Sequence, residues 1–104
     1  MNKNEYSKFV QSRVKSGEDI LASLTPEKAE IWHMGTGVST EAGELLDAIK
    51  KYVVYEKDAD LENIVEELGD LEFYLEGVRQ QFNIDRDATI KHNVNKLSVR
   101  YQQK

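Results

Sequence analysis

The sequence contains no cysteine, a single proline and six glycines among its 104 residues. Without cysteine there are no disulfide bonds, no thiolate zinc site and no cysteine nucleophile, and this absence fits a reducing compartment. The amino-terminal stretch has no apolar signal core, and no run of ~18 apolar residues follows it. The sequence therefore predicts a cytoplasmic protein that does not cross a membrane. Collagen-like and proline-rich architectures are excluded as well.

The chain is short, and hydrophobic residues make up 39% of it. This length predicts one domain covering residues 1–104. A chain of this size buries only roughly 60–65% of the surface that it exposes when unfolded. Its core is therefore thin, and self-association is expected.

Charge is distributed unevenly along the sequence. The net charge is −5, which argues against nucleic acid as a partner because a phosphate backbone requires a basic face. Residues 41–85 contain thirteen acidic and four basic side chains, whereas residues 86–104 contain one acidic and five basic side chains. Solvated helix faces are one interpretation. The alternative is a cation site in the middle of the chain, with the tail holding an anion that binds the same cation.

Helical periodicity dominates the chain, and no segment alternates with a period of two for long enough to form a sheet. A short amphipathic segment ends near Ser16–Gly17. Thr25 and Pro26 then predict the N-cap and first turn of a long helix that continues to about Tyr55. Two glycines, Gly35 and Gly37, could bend or interrupt this helix, since glycine costs about 1 kcal/mol there.

Two more helices are predicted after a turn in the segment KDAD, where Asp58 or Asp60 is the expected N-cap. The first has the clearest apolar stripe, which consists of Ile64, Leu68, Leu71, Leu75, Val78 and Phe82. It should end near Asn83, and Asp85 or Asp87 should cap the last helix. The apolar side of the last helix carries Ile90, Val94, Leu97 and Tyr101. The predicted fold is an all-α antiparallel bundle of four to five helices, in which two long helices form a central hairpin.

Two carboxylate pairs occur on these two long helices. Glu41 and Glu44 are three residues apart on the first, and Glu67 and Asp70 are three apart on the second, so each pair shares one helical face. In an antiparallel hairpin, positions whose residue numbers add to the same total lie at similar heights. By this rule Glu41 should face Asp70, and Glu44 should face Glu67.

Four carboxylates beside a packing seam repel one another unless a cation neutralises them. Oxygen-only ligation suits Mg²⁺, with Mn²⁺ as a substitute, rather than zinc or copper. Acidic pairs at this spacing are also common on solvated helices, so one pair alone is weak evidence. A di-iron bundle needs two Glu-x-x-His units. Only one is present, from Glu30 to His33, and this argues against iron.

Three sequence elements resemble the MazG-like family of all-α nucleotide pyrophosphohydrolases. They are Glu41-Ala42-Gly43-Glu44, Glu67-Leu68-Gly69-Asp70 and Lys96-Leu97-Ser98-Val99-Arg100-Tyr101. The family carries an ExxE pair, a later ExxD pair and a KLxxRY-type element in this order. The resemblance covers about residues 33–101, and the first 32 residues match only loosely.

The resemblance implies hydrolysis of nucleoside triphosphates, often deoxy ones, to the monophosphate and pyrophosphate. It further implies that the four acids bind magnesium. Independently of the resemblance, one glutamate, Glu44 or Glu41, is expected to take the proton of the attacking water as general base, and the sequence does not separate a ligand from a base. The resemblance also implies contacts of Lys96 and Arg100 with the triphosphate, and assembly as a homodimer or homotetramer. Tyr74, one turn after Asp70, is expected either to line the nucleotide pocket or to be a packing residue. Asn93, one turn before Lys96, is an expected contact of the sugar or base.

A second function class stays open at this point. In this alternative the chain is a non-catalytic helical interaction domain, its acids are a solvated face, and the apolar stripe is a dimer seam. Neither the base, the sugar nor the number of metal ions follows from the sequence.

Overall fold

The computed structural model describes residues 1–102 and the side chains of residues 1–100. Five helices are present in this part of the chain, and it contains no strand. They are α1 (Lys3–Arg13), α2 (Gly17–Ser23), α3 (Pro26–Val53), α4 (Leu61–Gln81) and α5 (Arg86–Gln102). The predicted all-α fold with a hairpin of two long helices is confirmed. Tyr101, the last member of the predicted stripe on α5, lies outside the described side chains.

Capping side chains begin the three longest helices at or near the predicted positions. The Thr25 hydroxyl accepts a hydrogen bond from the Lys28 amide at 3.2 Å, with Pro26 in the first turn. Of the two candidates before α4, Asp60 is the cap and accepts from the Asn63 amide at 3.1 Å. Before α5 the cap is Asp85, which accepts from the Ala88 amide at 3.2 Å. Each cap satisfies a backbone donor that has no partner within the helix.

The short helix α2 is the element that periodicity did not predict. The Ser16 hydroxyl accepts from the Asp19 amide at 3.0 Å, and Glu18 and Asp19 occupy the first turn. Its seven residues form fewer than two full turns. An apolar stripe cannot repeat over so short a length, so only the cap and the acidic first turn signal it.

Two helical glycines, Gly37 in α3 and Gly77 in α4, serve as packing notches, positions where a side chain of the other helix fills the space of the missing Cβ. Neither Gly35 nor Gly37 interrupts α3, which is continuous over 28 residues. The ring of Tyr74 occupies the space that a Cβ at Gly37 would need. In α4, the side chain of Met34 from α3 occupies the space that a Cβ at Gly77 would need. The two backbones can therefore approach closely because each helix lacks a side chain where the other presents a large one.

Helices α3 and α4 are the only pair that packs extensively in the described part of the chain. Their register is visible at three heights. Glu30 accepts a hydrogen bond from the side-chain amide of Gln81 at 3.0 Å, Met34 lies against Gly77, and Gly37 lies against Tyr74. In each of these pairs the residue numbers add to the total shared by the two predicted acidic pairs.

Much of the apolar surface of the single chain has no partner. Among the described side chains, Ala48, with 6% of its surface exposed, is the only buried hydrophobic one. The accessible surface is 8969 Å², whereas a compact monomer of this mass has about 6,000 Å². The radius of gyration is 20.0 Å, against about 13 Å for a compact chain of this length. None of the described helices is both long enough and apolar enough to cross a bilayer.

We expect Gly37→Ala to destabilise the protein. The added methyl group collides with the Tyr74 ring, and overpacking of this kind costs roughly 1–3 kcal/mol, more than the gain of ~1 kcal/mol in helix propensity. Gly35→Ala is the matched control in the same helix, because no atom lies within 4 Å of its added Cβ. Denaturant unfolding should rank the control at or above wild type and Gly37→Ala below it. Equal stability of the two variants would contradict the close packing of the Tyr74 ring against Gly37.

Candidate metal centre

The hairpin brings three of the four predicted carboxylates together. Glu41 projects from α3, and Glu67 and Asp70 project from α4, three residues apart on one face. One carboxylate oxygen from each lies within 4.8 Å of the other two. Glu41 and Glu67 are half-buried, whereas Asp70 is exposed. Three negative charges from two helices thus converge at the edge of the packing seam.

The fourth acid, Glu44, does not belong to this group of three. Glu44 is exposed, unlike Glu41. The predicted height of Glu44 opposite Glu67 follows from the register, but height alone does not bring two side chains together.

Glu67 is the acid whose ionisation is most disturbed. Partial burial raises the pKa of Glu67, and the charges of its acidic neighbours raise this pKa further. The neighbours, in decreasing order of effect, are Glu41, Asp70, Glu44 and Glu66. No lysine or arginine forms an ion pair with any of the four predicted ligands among the described side chains. The cluster therefore has no counter-charge of its own.

The donor set fits a hard divalent cation. All the converging ligand atoms are carboxylate oxygens, and they come from residues that a helix pair holds in a fixed register. Mg²⁺ accepts one or two carboxylates and keeps waters in its remaining positions, and Mn²⁺ accepts the same ligands. A bound cation would also supply the missing counter-charge. The exposed side of Asp70 leaves room for water or a phosphate oxygen.

The remaining predicted site residues lie elsewhere. Tyr74 is half-buried one turn after Asp70, with its ring edge-on to His33 at 6.2 Å and to Phe73 at 5.2 Å between ring centres. Asn93, Lys96 and Arg100 are exposed on α5, which does not pack along the hairpin. A single chain therefore does not bring Lys96 or Arg100 to the acidic cluster.

The comparisons with known proteins agree with this architecture. A family model, described as the MazG nucleotide pyrophosphohydrolase domain, matches residues 31–104. The chain belongs to the MazG nucleotide pyrophosphohydrolase family. Membership indicates nucleotide pyrophosphohydrolase activity in general, in a family that is generally metal-dependent. Neither the comparison with curated proteins nor that with solved structures returned a match.

One charged group of the MazG domain was not predicted from the sequence. The Arg79 side chain, only 13% exposed, donates hydrogen bonds to Glu76 at 2.9 Å and to Glu72. Glu72 also lies 3.6 Å from the Nε atom of Arg86, the first residue of α5. The spacing of Glu72, Glu76 and Arg79 on one face of α4 was the available signal. The contact with Arg86 depends on the direction in which α5 leaves the turn after α4, and no local sequence pattern encodes this direction.

We expect Glu67→Gln to raise the melting temperature of the metal-free MazG domain at pH 7 by a few degrees. Because folding raises the pKa of Glu67, its ionised form opposes folding at neutral pH, and this penalty fades as the pH falls through the raised pKa. The advantage of the variant should therefore shrink toward pH 4.5, the ordinary value for this carboxyl.

The matched control is Glu66→Gln, which removes one charge from the adjacent exposed position. Thermal unfolding in a chelator, followed between pH 4 and 8, compares the two variants with wild type. Glu67→Gln at or below wild-type stability at pH 7 would show that the carboxylates do not repel one another as the geometry implies.

Proposed function

We propose that this protein hydrolyses nucleoside triphosphates, deoxynucleotides among them, to the monophosphate and pyrophosphate in a Mg²⁺-dependent reaction that clears or balances a nucleotide pool. Family membership supports the reaction class. The observation that carries the metal dependence is the convergence of carboxylate oxygens from Glu41, Glu67 and Asp70 within 4.8 Å.

In this proposal Glu41, Glu67 and Asp70 hold Mg²⁺, and Mn²⁺ can replace it. A cation bound there supplies charge neutralisation at the phosphates and lowers the pKa of a coordinated water. The helix pair holds the ligands in position before the substrate arrives, because their register is set by packing at Gly37 and Gly77. Preorganised ligands of this kind need little rearrangement during the reaction.

We assign the role of general base to Glu44. It lies one turn along α3 from Glu41, it is exposed, and it does not share the convergence of the other three carboxylates. A Glu44 oxygen can therefore take the proton from the attacking water. The water oxygen then bonds to the α-phosphorus, the bond from that phosphorus to the bridging oxygen breaks, and pyrophosphate leaves with the bonding electrons.

The other substrate contacts are proposals that rest on the family resemblance. Lys96 and Arg100 lie one helical turn apart and suit adjacent phosphate oxygens, for which arginine offers a paired set of donors. Tyr74 stays a predicted contact of the nucleoside, although its ring also has a packing role against Gly37. Asn93 stays a predicted contact of the sugar or base from α5.

The quaternary structure and location complete the proposal. The unpartnered apolar surface supports a homo-oligomer, either a dimer or a tetramer. Residues 1–104 are proposed to act as one domain, with α1 and α2 covering apolar surface of a second copy. The cytoplasmic location stays a prediction from the sequence.

A non-catalytic interaction domain is the competing function, and the exposed apolar surface also suits it. An assay separates the two. A panel of ribo- and deoxyribonucleoside triphosphates with Mg²⁺ should release pyrophosphate and no orthophosphate from at least one substrate. Absence of both products from every nucleotide, with Mg²⁺ or Mn²⁺, would favour the interaction domain.

Two acidic variants should lose activity for different reasons. Glu44→Gln should lower kcat by about 10²–10⁴-fold and leave Mg²⁺ affinity nearly unchanged, because it removes a base. Asp70→Asn should weaken Mg²⁺ affinity as well, because it removes a ligand. The matched control Asp47→Asn disrupts only the exposed ion pair with Lys51, whose charged atoms are 3.5 Å apart, and should keep wild-type activity.

Activity of each variant is measured across a Mg²⁺ titration, and metal affinity is measured without nucleotide. Turnover by Glu44→Gln within a few-fold of wild type would contradict its assignment as the base. Unchanged Mg²⁺ affinity in Asp70→Asn would contradict its assignment as a ligand.

We expect light scattering to give a molar mass of at least twice 12.0 kDa at micromolar concentration. The reason is the excess of roughly 3,000 Å² over a compact monomer, which exceeds the ~800 Å² per partner of a standard interface. A monomer at all accessible concentrations would contradict the oligomer.

A further inference from the structure

A group of charged side chains links α4 to the beginning of α5. Glu72 on α4 accepts a hydrogen bond from Arg79, and the same carboxylate oxygen lies 3.6 Å from the Nε atom of Arg86, the first residue of α5. The Arg79 side chain is only 13% exposed and also donates to Glu76 at 2.9 Å. Glu72, Arg79 and Arg86 are called the clasp below. Glu72 is its centre, because its carboxylate contacts both guanidinium groups.

The backbone of the turn is held at the same residue, Arg79. Its carbonyl accepts from the Ile84 amide at 2.8 Å and from the Phe82 amide at 3.2 Å, and Asn83 between these two has a positive φ of 55°. Arg79 therefore orients Glu72 through its side chain and supports the turn through its carbonyl. Among the described side chains, the ion pair between Glu72 and Arg86 is the one that joins α5 to another helix.

Apolar packing contributes little to the direction of α5. Beyond the turn, this helix does not pack along the hairpin. A cavity of about 620 Å³ lies at the turn, and its wall contains Met34, Phe73 and Ile84 together with the charged groups of the clasp. Because no described side chain fills this cavity, α5 can change its angle to α4 without disrupting a packed core.

A small change of angle at the clasp is amplified along α5. Lys96 and Arg100 lie ten and fourteen residues after Arg86, which corresponds to about 15 Å and about 21 Å of helix. A tilt of about 10° at the beginning of the helix therefore displaces Lys96 by about 2.6 Å, and Arg100 by more. Charged hydrogen bonds to phosphate need a donor–acceptor distance of about 2.7–2.9 Å, so a displacement of this size breaks them.

We propose that Glu72 is a positioning residue for the reaction: through Arg86 it sets the direction in which α5 leaves the turn, and with it the positions of Lys96 and Arg100. The inference rests on the proposed function for the role of Lys96 and Arg100 as triphosphate contacts. An ion pair as exposed as that of Glu72 with Arg86 biases an equilibrium by up to about five-fold and adds little to stability. Its loss should therefore affect substrate binding more than folding.

Kinetics of variants in the clasp test the proposal. Arg86→Gln should raise the KM for the triphosphate about three- to five-fold, with kcat, Mg²⁺ affinity and melting temperature nearly unchanged. Arg86→Lys keeps the charge and should stay close to wild type. The matched control Lys91→Gln removes the same charge from an exposed position on α5 that has no ion pair among the described side chains, and its KM should not rise.

A double-mutant cycle separates the ion pair from independent effects of its members. Because Glu72→Gln and Arg86→Gln remove the same ion pair, the double variant should have a KM no higher than that of Glu72→Gln alone. Additive increases in KM would overturn the proposal, because the two residues would then act separately.

Distances between spin labels test the direction of α5 without relying on activity. The sequence has no cysteine, so two introduced thiols, Glu62→Cys on α4 and Asn95→Cys on α5, carry the only labels. Labelled chains are diluted into unlabelled ones so that the distance within one chain is measured. Arg86→Gln should shift or broaden the distance distribution, whereas Arg86→Lys and Lys91→Gln should not. An unchanged distribution in Arg86→Gln would overturn the proposal, even if its KM rises.

The two measurements also separate failure of the inference from failure of the function. If wild type hydrolyses a triphosphate and Arg86→Gln changes neither the distance nor the KM, the positioning role is wrong and the proposed function stands. If wild type hydrolyses no triphosphate and the distance still shifts in Arg86→Gln, the clasp directs α5 and the proposed activity is wrong.

Discussion

The close approach of α3 and α4 is the constraint on which the other features depend. Each helix carries a glycine opposite a large side chain of its partner, Gly37 against Tyr74 and Gly77 against Met34. These contacts determine both the spacing and the register of the hairpin. Because the register continues along the helices, it brings Glu41 to the height of Asp70 and Glu44 to the height of Glu67. A different register would place these carboxylates at different heights.

This packing brings like charges together, and no described lysine or arginine forms an ion pair with them. Three carboxylate oxygens converge, and partial burial with like charges raises the pKa of Glu67. Hydrophobic packing at the notches holds together groups that repel one another. The same repulsion makes the site suitable for a cation, because a bound cation would neutralise the carboxylates and accept their oxygens as ligands.

The hairpin is the only well-packed unit of the described chain, and the other helices extend from it. Trp32 has 76% of its surface exposed, and large apolar side chains of α1 and α5, among them Phe9, Ile90 and Val94, are exposed as well. A small chain with a thin core gains much of its apolar burial by association.

Features that depend on local chemistry or on residue spacing could be predicted before the fold was known. Capping residues located the helix starts at Thr25, Asp60 and Asp85 within the stated alternatives, and helical spacing with antiparallel numbering predicted the hairpin and the heights of the acids. Only the tertiary structure shows which side chains converge, because Glu41 joins Glu67 and Asp70 within 4.8 Å and Glu44 does not. It also decided that Gly37 is a notch and that α5 leaves the hairpin. These outcomes depend on contacts between residues far apart in the chain, and no local pattern records them.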